Sequence, residues 1–150
     1  MNKPTAFGLL LITVMLVFTA CDRQTIVETQ PSLRFVSLST DTVVANKDSL
    51  TIRLEYEDSE GDLGDESPEL RSLSIKDSRL AEADFFHVQP LAPIGAKVWI
   101  KGTLAVHIPN LFLMSVAESE EVVFTARIQD RAGNWSEPTQ SPPVHIIKVK

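Results

Sequence analysis

The chain has 150 residues, with 20 acidic side chains against 14 basic ones and a formal net charge of −6. That balance excludes the clustered Lys and Arg that nucleic acid demands and a membrane surface read by basic residues. The length suits one domain with a self-sufficient core, and a single cysteine leaves no internal disulfide, so packing must hold the fold together.

The chain opens on Lys3, then an apolar stretch from Ala6 to Phe18 weakly interrupted by Gly8 and Thr13, then Thr19 and Ala20 directly before Cys21. The stretch is short for a spanning helix of ~20 residues and reads as a cleaved secretory signal. It resembles the lipobox of bacterial lipoproteins. The resemblance implies a diacylglyceryl group on the Cys21 thiol, cleavage before it, and acylation of the new amine. Each buried CH₂ is worth ~0.8 kcal/mol, so two or more chains anchor stably. The alternatives are an ordinary signal with an incidental cysteine, or an uncleaved anchor helix. The expected organisation is a signal over 1–20, a lipidated cysteine and polar tether over 21–32, and a folded domain over 33–150. The expected location is the outer membrane, facing the periplasm or the exterior.

Beyond the tether the apolar pattern has period two, the mark of strands with one buried face. Leu33 to Leu38 is a short first strand. Leu50, Ile52, Leu54 and Tyr56 alternate with Thr51, Arg53, Glu55 and Glu57. Leu73 to Ile75 and Phe85 to Val88 are shorter candidates. Ser78 to Asp84 suits a turn as well as a helix. Val98, Ile100, Leu104, Val106 and Ile108 share one parity, with a bulge or close approach expected at Gly102. Leu111 to Glu121 is either a turn or two of helix capped by Asn110 or an irregular crossover. Val122, Phe124, Ala126 and Ile128 form another row, and Val144 to Val149 closes the chain. About seven strands are expected, in an all-β antiparallel sandwich of immunoglobulin-like type. The expected core includes Phe35, Ile52, Leu54, Tyr56, Ile75, Ile100, Leu104, Val106, Phe124, Ala126, Ile128 and Ile146.

Two loops stand out. Glu55 to Glu69 holds eight of the twenty acids and no basic residue. Carboxylates crowded together repel, and must be solvated or neutralised. A calcium ion neutralises them well, because it takes six to eight oxygens in irregular geometry. Asp58, Glu60, Asp62 and Asp65 are the candidate ligands, with Gly61 and Gly64 permitting tight turns. The spacing does not fit an EF-hand, and a solvated acidic turn is the alternative. The second loop, Asp130-Arg131-Ala132-Gly133-Asn134-Trp135-Ser136, follows a strand and suits a hairpin.

The string from Asp130 to Ser136, before a proline-containing return strand, resembles the last hairpin of bacterial immunoglobulin-like and fibronectin type III-like modules. The string from Tyr56 to Gly64 resembles one in small lipoproteins of Gram-negative bacteria that carry both motifs and to which no biochemical role is attached. Glu60 departs from the aspartate more usual there. In such a sandwich the loop after the second strand and the last hairpin lie at one end. Asp130 would then join a cation site, pair with Arg131 or Arg53, or bond its own hairpin together with Asn134.

Other chemistry finds no footing. His87, His107 and His145 fall on separate strands without ligand spacing. No serine sits in a nucleophile elbow, and no glycine loop is followed by the lysine and helix of a phosphate site. Trp99, of opposite parity to Val98 and Ile100, is expected either to face outward or to close the core edge against Phe85 or Phe86. Trp135 would serve as a second ligand-binding aromatic or as an anchor for its loop. The expected role is a non-enzymatic, lipid-anchored binding or assembly module of the cell envelope, with calcium as a candidate stabilising ion and an envelope protein or glycan as partner. A carbohydrate-binding accessory lipoprotein and a hydrolase with an unrecognised site are the alternatives.

Overall fold

The computed structural model describes residues 29–149; the leader, Cys21 and most of the tether lie outside the described residues. Ten strands follow one another: β1 (Ser32–Leu38), β2 (Thr42–Val44), β3 (Leu50–Asp58), β4 (Leu73–Asp77), β5 (Asp84–Phe86), β6 (Ile100–Ile108), β7 (Ser119–Val122), β8 (Phe124–Ile128), β9 (Thr139–Gln140) and β10 (Val144–Ile147). The architecture is the expected all-β sandwich.

One layer is β1-β3-β6, all antiparallel. The β3–β6 ladder runs unbroken from Leu50↔Ile108 to Asp58↔Ile100, so the irregularity foreseen at Gly102 is a close approach rather than a bulge. Gly102 stands opposite Tyr56, whose ring would lie 2.7 Å from a Cβ placed there. The bulge falls instead on β1, between Phe35 and Ser37. The extra residue, Val36, points outward and is exposed.

The other layer has the orders β5-β4-β8-β9 and β2-β10-β7. Only Val123 separates β7 from β8, and Ser141-Pro142-Pro143 separates β9 from β10. Two prolines without N–H groups cannot continue a ladder. Ser141 bridges the gap: its N–H donates to the Phe124 carbonyl at 2.9 Å, and its Oγ accepts the Phe124 N–H at 3.0 Å. The four segments thus make one long hairpin with a waist, flanked by β4 and β5 on one side and β2 on the other. β2 runs parallel to β10, the one departure from an antiparallel pattern. Three residues are too few to show alternation, and the partner lies at the far end of the chain.

Alternate residues of both layers meet in a continuous core that includes Val43, Leu50, Ile52, Leu63, Ile128, Val144 and Ile146, each no more than 2% exposed. Phe35, Tyr56, Ile100 and Leu104 are half-buried and pack against it. Leu63 and Leu111 join the core from loops, which period-two reading cannot see. Among the described residues there is no helix, and no segment long and apolar enough to cross a membrane as one. The stretch from Leu111 to Glu118 is the irregular crossover.

Candidate functional site at the 59–72 and 129–138 loops

β3 ends at Asp58 and β8 ends at Ile128, so the loops that follow them emerge at the same end of the sandwich and make direct contact. Leu63 and Asp130 form an antiparallel bridge, and the Arg131 N–H donates to the Asp62 carbonyl at 3.1 Å. The first loop also threads against residues 88–98. Asp65 N–H donates to the Val88 carbonyl at 2.9 Å, and Leu91 N–H to the Leu63 carbonyl at 3.1 Å. Glycine is required twice here. Gly61 and Gly64 have φ of 70° and 79°, and a Cβ would meet the Val98 carbonyl oxygen at 2.6 Å and the Gln89 carbonyl carbon at 2.6 Å, respectively.

Arg131 gathers the turn. Its guanidinium donates to the carbonyls of Gly64 at 2.7 Å, Gly61 at 3.3 Å and Leu63 at 3.5 Å. Its fork of donors suits several acceptors at once. The second loop closes on itself. Asp130 is buried, and its Oδ1 accepts the Asn134 N–H at 2.7 Å while Oδ2 accepts from Asn134 Nδ2 at 2.9 Å. Asp130 therefore bonds its own hairpin. At the start of the described chain, Asn134 Nδ2 reaches the Thr29 carbonyl at 3.4 Å and the Gln30 amide donates to the Trp135 carbonyl.

The acidic residues of the first loop divide. Asp58 is 1% exposed; its Oδ2 accepts the Asp62 N–H at 2.9 Å, while its Oδ1 is buried without a hydrogen-bond partner. Asp62 Oδ1 is likewise buried and unpartnered. Burial pushes the Asp62 carboxyl above the ordinary aspartate range, and the charges of Asp130 and Asp58 push it the same way, with Arg131 opposing. Asp65 instead caps its own turn, Oδ1 accepting the Ser67 N–H at 2.9 Å. Glu60 is half-buried and lines a shallow recess of about 210 Å³ with Asp62, Gly95, Lys97 and Arg131. Asp58 and Asp130 thus both bear on Asp62, and Glu60 and Asp65 stand at the margin. Among the described residues no three acidic, histidine or cysteine side chains already converge as a metal-holding group.

Trp99 faces outward, 59% exposed, with its Nε1 donating to Glu57 Oε1 at 3.1 Å. Trp135 is half-buried. Phe85 meets it edge-on with centroids 6.4 Å apart, and the Arg127 guanidinium covers its ring at 5.4 Å. Phe85 therefore serves Trp135, not Trp99.

Two features have no counterpart in the sequence reading. At the opposite end, Arg79 bonds Asp77 at 2.7 Å and Glu120 at 2.7 Å, and Glu120 accepts the N–H groups of Met114 and Ser115 at 2.9 and 2.7 Å. These bonds, the Met114 N–H foremost, hold Glu120 down at about 2. Between the layers, an apolar recess of about 410 Å³ lies among Leu73, Phe86, Val88, Leu91, Leu104 and Val106, with His87 and His107 also lining it.

No protein-family model matches the chain, and no curated protein matches it. Among solved structures, a Niemann-Pick type C2 protein from Japanese carpenter ant is similar at 10% identity and a TM-score of 0.44, over 77% of this chain and 92% of that one. A likeness this distant assigns neither ligand nor activity.

Proposed function

We propose that this chain is a non-enzymatic binding or assembly module of the bacterial cell envelope, held at the outer membrane by lipid on Cys21, with the 59–72 and 129–138 loops as its working face. One observation carries the choice of face. The two loops and residues 88–98 are cross-tied through their backbones, and the apolar side chains Leu70, Ile94, Val98 and Trp99 stand exposed on or beside them. A rigid scaffold presenting loops of this kind is the usual arrangement of a binding surface. The polar groups at this end are spent largely on holding backbone, which suits recognition rather than bond-making.

The anchor is tested by fractionation and intact mass. Wild type should reside in the outer membrane with a lipid-increased mass, and Cys21→Ser should move to the soluble fraction; an unmodified wild-type thiol would defeat the proposal. The face is tested by photocrosslinking in cells. A crosslinker replacing Ile94 should give a discrete adduct, and one replacing Thr103 on β6 should not; adducts only from Thr103 would place the surface elsewhere. The exposed Trp99 ring favours a second reading, a glycan partner stacked on that ring. Glycan-array signal lost in Trp99→Ala would support it, and no glycan signal from wild type would remove it.

A further inference from the structure

Asp58 and Asp62 present an unusual residue of uncompensated charge. Each has one carboxylate oxygen buried without a hydrogen-bond donor, and Asp58 is 1% exposed. Desolvating a carboxylate is costly unless it is paired, hydrogen-bonded or bound to a metal. The nearby cation, Arg131, has its guanidinium on the carbonyls of Gly61, Leu63 and Gly64. Asp130 adds a third negative charge, and both its oxygens already accept from Asn134. Donors are therefore short where acceptors are in surplus.

We propose that Asp58 and Asp62 bind a divalent cation of the calcium class, which ties the end of β3 to the turn that follows it. Two carboxylate oxygens are enough to start such a site, because calcium completes its shell with backbone oxygens and water and accepts irregular geometry. Magnesium fits less well, since it demands a near-octahedral set. The inference deepens the reading of this end as the working face, by assigning the ion that stiffens it. Its test is separate, because ion binding is measured without any partner.

The experiment uses the full chain purified in detergent, stripped with chelator, and titrated with calcium chloride or magnesium chloride by calorimetry and thermal melting. Expected are one calcium site, weaker magnesium binding, and a rise in Tm of about 5–10 °C once calcium exceeds its Kd about 100-fold. Asp62→Asn, at a half-buried position, should abolish the calcium heat. It should also melt above wild type in chelator, where repulsion is relieved, and below wild type in calcium. Asp58→Asn should lose calcium binding as well, with strand content checked by circular dichroism. Wild type that gives no calcium heat and an unchanged Tm overturns the site. Asp62→Asn that binds calcium as wild type does overturns the assignment of ligands.

Discussion

Arg131 holds three carbonyls of the neighbouring turn, and because that of Leu63 also accepts the Leu91 N–H, those of Gly61 and Gly64 depend on it most. Buried carbonyls left without donors cost about 1–3 kcal/mol, so Arg131→Ala should destabilise the domain by that order, read from urea unfolding. Arg131→Lys should recover only part, because an ammonium cannot fork toward several oxygens at once. Gly64 is constrained more tightly still. Its φ of 79° and the Gln89 backbone behind it leave no room for a methyl group, and Gly64→Ala should lower the Tm by several degrees, with about 1–2 kcal/mol from the backbone conformation alone. These roles were only partly legible in the sequence. The glycines and the acidic residues announced a tight, charged turn. That Arg131, from the other loop, would take its carbonyls depended on how the two loops dock.

At the scale of elements, the crossover from Leu111 to Glu118 shows why a helix does not form there. Glu120 takes the Met114 and Ser115 N–H groups, and Arg79 takes the Phe112 carbonyl at 2.9 Å. Side chains supply the partners that helical turns would otherwise supply. The same network sets an acid limit on stability. Glu120 is depressed from 4.5 to about 2 in the folded state, so its contribution is present above about pH 4.5 and is lost as pH falls toward about 2. Asp62 has the opposite sign. Its raised value means that its favourable contribution is complete below pH 3.8 and disappears as pH rises through the folded-state value. Glu120→Gln should therefore lower stability at neutral pH and flatten the acid limb of a Tm-against-pH curve. In chelator, Asp62→Asn should remove the part of that curve in which stability falls as pH rises.

At the scale of the molecule, one core spans both layers, and Ile52, Leu63, Ile128 and Ile146 lie fully inside it. Ile128→Ala should cost about 2–5 kcal/mol and should leave a single transition in denaturant, since the two layers have no separate cores to melt independently. The apolar recess beside Leu104 and Phe86 is also lined by Val88 and Leu91, so the segment that ties to the 59–72 loop forms one of its walls.

Alternation of side chains is a local property, so the longer strands, their buried faces and the sandwich were legible in the chain alone, whereas β2 and β9 are too short to alternate and the break at Val123 divides one expected row between β7 and β8, giving ten strands in place of about seven. The crowding of acids between Glu55 and Glu69, and the hairpin from Asp130 to Ser136, were equally visible. Pairing is not local. The parallel contact of β2 with β10, the burial of Leu63 from a loop, and the unpartnered oxygens of Asp58 and Asp62 arise only when segments far apart in the chain compete for the same space and the same donors. Tertiary structure decided those, because a period-two pattern encodes which face of a strand leaves water and carries no record of what that face will meet.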